Sequence, residues 1–181
     1  MTKKRRPCDS GHTGHALAQV HARFQPRTLA DYLAVMSRAV LQAGVSWAQI
    51  DRQWSQVCAA FDGFDARMVA RYGPRDIKRI GETAGIRNSE RKLRATIHNA
   101  QTMIDLAERY GSFAQYLRSF SSYDELCADI KARFAYVGDI SAYYFLFRVG
   151  EKVPPFARWS QTVKGEHPRI AEMVKGKKSA T

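Results

Sequence analysis

From Thr28 onward, apolar residues recur at three- and four-residue steps, the spacing of one helix face. Leu29, Tyr32, Leu33, Met36, Val40 and Leu41 predict a first helix capped by Thr28 and interrupted at Gly44. Ser46 reads as the N-cap of a second helix carrying Trp47, Ile50, Trp54, Val57 and Cys58. Asp62-Gly63 marks a turn, followed by short helices over Asp65 to Val69 and Arg75 to Thr83. Asn88 or Ser89 caps a long helix with Leu93, Ile97, Ala100, Ile104 and Leu106, which stops at Gly111. Ser112 to Leu117 is short and helical, Ser121-Ser122 caps a helix over Tyr123 to Arg133, and Ser141 to Arg148 is the next. Between the last two, Gly138 supplies a residue that tolerates positive φ, and Gly150 with Pro154-Pro155 closes the domain. Period-two alternation is missing over any useful length, so the expected fold is all-α.

Composition changes this picture little. The chain has 181 residues, 45% of them apolar, enough for one sizeable core. Its apolar runs, such as Ile140 to Phe147, fall far short of the roughly 20 residues a bilayer span needs. The basic start Lys3-Lys4-Arg5-Arg6 has no apolar segment behind it and does not read as a secretory signal. Cys8, Cys58 and Cys127 are odd in number and widely spaced, which argues against a disulfide framework and for a reducing, cytoplasmic setting.

Charge matters by its position. The formal net charge is +12. Residues 1–27 hold six basic residues against Asp9 (net +5), residues 157–181 six against Glu166 and Glu172 (net +4), and residues 28–156 carry the remaining +3. The expected organisation is therefore a basic flexible arm over 1–27, a helical domain over 28–156 and a basic tail over 157–181. Basic arms favour polyanions through counterion release without choosing among them. Inside the domain, Arg75, Lys78, Arg79, Arg87, Arg91, Lys92 and Arg94 face only Asp76, Glu82 and Glu90.

The segment Glu125 to Val149, a helix, a glycine-containing turn and a second helix, has the outline of a helix-hairpin-helix unit. In such a unit the amides of the turn and of the following helix N-terminus bind a phosphate without reading sequence.

Three stretches, in order, carry a resemblance. Gln42-Ala43-Gly44-Val45-Ser46-Trp47 resembles the Q-A-G-L-S-W element of the 3-methyladenine DNA glycosylase I family. Ala84 to Ala100 is similar to that family's A-G-I-I-R-x-x-x-K-I-x-A-I-I-x-N-A stretch, and Phe134-Ala135-Tyr136-Val137-Gly138 to its F-x-F-V-G turn. The resemblance implies a two-lobed helical bundle with duplex DNA across the hairpin and an extruded base in the cleft. The implied activity is excision of alkylated, 3-methyladenine-like purines by hydrolysis of the N-glycosidic bond, by a monomer that needs no membrane. A DNA-binding member of the same fold without catalysis is the alternative. Residue by residue, Trp47 is implied as the wall on which the base stacks, with Gln42, Ser46 and Ala39 about the pocket. Tyr136, Val137 and Gly138 become the phosphate clamp, and Arg91 and Lys92 border the DNA path. Trp47 also fits a core position, at helical spacing to Ile50 and Trp54.

The sequence also departs from the family. Where the family places a Glu that reads the base, five residues before the motif glycine, this chain has Ala39. No Asp follows the second hairpin helix in a V-D-x-H-like stretch; Val153-Pro154-Pro155-Phe156 stands there. Asp139 lies in the hairpin itself as a capping residue, and Asp31 and Asp51 are carboxylates whose placement relative to Trp47 the sequence leaves open. The family's zinc joins Cys and His from both ends; here Cys8, His12, His15 and His21 stand in front and His167 behind, with no cysteine after Cys127. Neither a metal nor any other cofactor is expected.

Overall fold

The computed structural model describes residues 8, 23–42, 47–83 and 90–163. All regular structure among them is helical: α1 (Leu29–Leu41), α2 (Trp47–Ala60), a 3₁₀ turn (Asp62–Phe64), α3 (Ala66–Val69), α4 (Pro74–Thr83), α5 (Glu90–Tyr110), α6 (Phe113–Leu117), α7 (Tyr123–Arg133), α8 (Asp139–Arg148) and α9 (Phe156–Trp159). None of these helices is long and apolar enough to cross a membrane.

α1 begins where Thr28 and Asp31 cap each other's backbone: Asp31 N–H donates to Thr28 Oγ1 at 3.3 Å, and Thr28 N–H to Asp31 Oδ2 at 3.0 Å. Arg27 N–H adds a bond of 2.8 Å to the same oxygen, so Asp31 is committed to the cap. Beyond that turn α1 is buried on every side, with Leu33, Met36, Val40 and Leu41 fully enclosed. Each such aliphatic side chain contributes on the order of 2 kcal/mol relative to exposure. A helix apolar all round belongs in the middle of a bundle, and α1 packs against α5 and α8. The remaining contacts fall into two groups. α2, the 3₁₀ turn, α3 and α4 gather about one end of the α1–α5 pair, while α6 packs on α5 and α7 on α8. The long helix α5 ends at Gly111, whose φ of 81° is readily adopted by glycine. Ser112 then caps α6, its Oγ accepting from Gln115 N–H at 3.1 Å.

Contacts to the helical body reach beyond residues 28–156 on both sides. Phe24 N–H donates to Arg148 O at 3.0 Å, and Phe24 packs on the core, so residues expected to belong to the arm lie against α8. At the other edge the chain does not close at Pro154-Pro155. It turns into α9, where buried Trp159 stacks on Tyr143 with ring centroids 3.9 Å apart. The cysteine reading is corrected for two of the three: Cys8 and Cys58, 50 positions apart, are joined by a disulfide, and Cys127 is buried and free. Pairing across that separation leaves no trace in local spacing, which is why a count of cysteines does not show it.

Candidate nucleic-acid interface and base pocket

α7 starts at Ser122, whose Oγ accepts from Glu125 N–H, and runs to Arg133. α8 starts at Asp139 with Gly138 as its N-cap, which leaves residues 134–138 as the turn. Phe134 and Val137 are buried in the core, while Tyr136 stands half exposed. Two side chains of α5 pin this turn from beneath. Buried Asn99 takes both polar groups of one residue: Ala135 N–H donates to Asn99 Oδ1 at 2.8 Å, and Asn99 Nδ2 donates to Ala135 O at 3.1 Å. The His98 ring lies 3.1 Å from Arg133 O through Nε2.

The positive φ expected at Gly138 sits instead at Tyr136 (φ 60°), while Gly138 has φ −93°. Held at Ala135 and at the buried flanks Phe134 and Val137, the chain must reverse at the residue between them. A Cβ at Gly138 would meet nothing in the protein within 4 Å, so neither backbone strain nor internal crowding calls for glycine there. The N–H groups of Tyr136, Val137 and Gly138 find no acceptor among the described residues. The first amides of α8 add to them the positive end of a helix dipole. Such a set suits a phosphate oxygen. Asp139, expected as a cap, is the first residue of α8, and its carboxylate accepts from Lys131 Nζ at 2.6 Å, which offsets its charge next to the amides.

The basic residues divide. Arg91 is exposed. Lys92 Nζ donates to Leu41 O at 3.2 Å and so closes the C-terminus of α1. Arg94 pairs with Glu90 along α5, and Arg79 donates to Ala60 O. Arg87 lies outside the described residues.

At the far end of α8, about 14 Å from its start by helical rise, a second polar group is enclosed. Arg38 on α1 is 4% exposed, donates through Nη2 to Asp51 Oδ1 on α2, and places its guanidinium 4.8 Å from the Trp54 ring centroid. Arg148 on α8 is 6% exposed, between the rings of Phe24 and Tyr144. Burial lowers its pKa from the usual arginine value; the charge of Tyr144 opposes this, that of Arg38 adds to it and that of Asp51 opposes it, so Arg38, Asp51 and Arg148 share one field. Gln42, one turn beyond Arg38 on α1, is 1% exposed, and neither of its amide atoms has a partner among the described residues. Asp51 Oδ2, Arg38 Nε, Ser37 Oγ, and Arg148 Nε and Nη1 are likewise enclosed and unbonded. Burying a polar group without a bond costs about 1–3 kcal/mol, and Arg38, Asp51 and Arg148 bring several such atoms to the place where α1, α2 and α8 meet.

Of the residues expected about the pocket, Gln42 is buried one helical turn beyond Arg38, and Ala39 is buried next to Arg38 in sequence on α1. Ser46 lies outside the described residues. The backbone of Trp47 opens α2 one turn before Asp51, and its side chain is outside what the structure describes. Asp51 enters the cluster; Asp31 is held in the cap. Arg38 and Arg148 are not singled out by sequence reasoning, although each is an arginine inside an otherwise apolar stretch, Met36 to Leu41 and Tyr143 to Val149, and that is the signal that would have found them.

Cys8 is bonded to Cys58, and no group of three or more His, Cys, Asp or Glu among the described residues is placed to hold a metal ion. His12, His15, His21 and His167 lie outside those residues.

Two helices joined by a pinned five-residue turn with unpaired amides define a helix-hairpin-helix unit within an all-α bundle. The family model for methyladenine glycosylase matches residues 29–142, well over half of the chain, and the protein belongs to that family. It is similar to DNA-3-methyladenine glycosylase 1 of Escherichia coli (strain K12), 30% identical over 79 residues, which cover 44% of this chain and 42% of that protein. To DNA-3-methyladenine glycosylase of Haemophilus influenzae it is 22% identical over 130 residues, 60% of this chain and 70% of the relative. The fold matches the solved 3-methyladenine DNA glycosylase I from Staphylococcus aureus with a TM-score of 0.64 at 22% identity, covering 78% of this chain and 87% of that one. The chain thus spans less than half the length of the first of these relatives and most of the length of the other two.

Proposed function

We propose that the protein is a DNA-repair glycosylase. It binds duplex DNA over the 134–138 turn, draws an alkylated purine of the 3-methyladenine type out of the stack and hydrolyses its N-glycosidic bond. The observation that carries this reading is the pairing, on one helix, of an amide-lined N-terminus with an enclosed polar junction at its C-terminus. The first suits a backbone phosphate, the second a base that has left the helix. Extrusion is needed because the glycosidic bond of a stacked base is out of reach, and a damaged base costs less to unstack.

An N3- or N7-alkylated purine carries a positive charge before cleavage and leaves as a neutral base. The protein therefore has to extrude, orient and lightly stabilise; it need not protonate the leaving group. Water is the other reactant, and no cofactor enters. The phosphate contacts supply affinity and the pocket supplies selection. We take the acting form to be a monomer on double-stranded DNA inside the cell.

The test is release of free base from methylated duplex DNA under single-turnover conditions, read by chromatography. Release of 3-methyladenine supports the reading. Binding of the same duplex without release of any base refutes it and leaves a DNA-binding member of the family.

A further inference from the structure

Among the described residues, three other than glycine hold a positive φ: Asp62 (50°), Phe64 (61°) and Tyr136 (60°). A bulky side chain rarely enters this region, and where one does the surroundings must hold it there. Two of the three are held by their own side chains. Tyr72 Oη donates to the carboxylate of Asp62, and Phe64 is fully buried, stacked on Phe61 and Trp54 with ring centroids 4.9 and 5.5 Å apart. Tyr136 differs: it is 49% exposed, and its side chain has no hydrogen bond or ring contact among the described residues. Its backbone is bent by its neighbours, through the bonds of Asn99 to Ala135 and the burial of Phe134 and Val137. Glycine would take that bend at the least cost, so the fold itself does not call for an aromatic ring there. We propose that the Tyr136 side chain is a substrate contact in its own right. Its ring packs on the deoxyribose groups flanking the phosphate that the 136–138 amides hold, and so sets the register of the DNA strand on the turn. This inference rests on the glycosylase reading above and deepens it.

Of the residues whose amides form the clamp, Tyr136 alone has a side chain free to meet a ligand: Val137 is buried in the core and Gly138 has none. A phosphate within a strand is joined to a sugar on either side. Bound to the amides of 136–138, it brings both sugars within the reach of a side chain that starts from position 136. The carbon face of a deoxyribose is apolar, and a tyrosine meets it with a rigid ring that costs little conformational entropy to order. A ring lying on a sugar neutralises no phosphate, so it releases no counterion and its contribution does not vary with salt. It touches no base edge, so its contribution does not vary with sequence. Amides alone accept any phosphate of the backbone. The ring adds a surface that fits only when sugar and phosphate are seated together, and this holds the strand in one register.

The experiment is fluorescence anisotropy of the full-length protein with labelled undamaged duplexes, one rich in A·T and one in G·C pairs, over a salt titration, with urea denaturation of each variant. Tyr136→Gly and Tyr136→Asn both suit a positive φ and lack the ring. Each is expected to bind both duplexes about tenfold more weakly at every salt concentration, as for the loss of one apolar side-chain contact. The slope against salt is expected to stay unchanged, and the urea midpoint to be no lower than that of the unmodified protein. Tyr136→Phe keeps the ring and is expected to bind within about threefold of the unmodified protein. Binding by Tyr136→Gly within about threefold of the unmodified protein overturns the proposal. So does a loss confined to one duplex, which means that the ring reads base edges, or a loss with a shallower slope, which means that a phosphate contact has gone. A loss accompanied by a lowered urea midpoint overturns it too, since the ring then supports the fold. Each of these results leaves the glycosylase reading standing if free base is still released from methylated DNA. Failure of the unmodified protein both to bind duplex and to release any base overturns the two together.

Discussion

Gly138→Ala separates the clamp from the fold more cleanly than any other single change. The glycine has φ −93° and ψ −173°, extended backbone that alanine adopts without strain, and its added Cβ would meet no protein atom within 4 Å. Replacing glycine by alanine at such a position stiffens the unfolded chain, and the expected gain is about 0.4–1 kcal/mol in unfolding free energy. A phosphate oxygen bonded to the amides of 136–138 would sit about 2.9 Å from a backbone nitrogen. The new methyl group lies in the same space and must hold a carbon–oxygen separation several tenths of an ångström longer, so those hydrogen bonds stretch or break. Bonds from amides to a charged oxygen contribute about 1.5–3 kcal/mol each, and the loss of one corresponds to a fall in DNA affinity of about tenfold or more. Urea denaturation and fluorescence anisotropy with a labelled duplex at fixed salt measure the two quantities. A variant as stable as the original or more so, with weakened DNA binding, fits the clamp. A variant that binds DNA as well as the original refutes the assignment of this turn.

Asn99→Ala removes both bonds to Ala135 and leaves a partly buried N–H and C=O unpaired; a loss of about 1–3 kcal/mol in urea denaturation is expected, with DNA binding weakened as well, and a change under about 0.5 kcal/mol counts against the pinning of the turn. Burial by itself would raise the Asp129 pKa, but the hydrogen bonds from Arg133 and Tyr116 outweigh it and hold the carboxyl below its ordinary value. A depressed carboxyl stabilises the fold above its unfolded pKa and loses that contribution as pH falls through the folded value. The stability gap between the protein and Asp129→Asn is therefore expected to be full near neutral pH, about 1–2 kcal/mol, and to close as pH falls below about 4; a gap independent of pH refutes the ion pairing. Burial raises the Cys127 thiol, and the Cys8–Cys58 bond leaves it the one free thiol of the oxidised chain. A disulfide reagent is expected to find no fast-reacting thiol in the native oxidised protein and one after unfolding; rapid native reaction overturns that placement.

Elements whose ends are decided within a turn of themselves were legible in the sequence. Thr28 and Ser122 cap α1 and α7 as their residue types predict, and α7 ends at Arg133, before the turn that Gly138 marks. What escaped the sequence is decided at a distance. Tyr136 carries the positive φ because Asn99, 36 positions before Ala135, holds the preceding residue. Trp159 extends the domain because a tyrosine on α8 offers it a face. Of the candidate site, the motif residues Gln42, Val137 and Gly138 were named through the resemblance. Arg38 and Arg148 belong to none of those motifs; what they show in the sequence is only an arginine inside an apolar stretch.

The bond from Lys92 to the end of α1 bears on how this protein meets a polyanion. Each phosphate neutralised by a protein cation releases counterions and steepens the fall of affinity with salt by about 0.9 in the logarithmic slope. Lys92, Arg79, Arg94, Lys131, Arg133, Arg38 and Arg148 already face carboxylates or carbonyls or lie enclosed within the fold. A salt titration would therefore return a slope well below the one that 29 basic residues invite. Its value would report how many cations the folded domain leaves available to DNA.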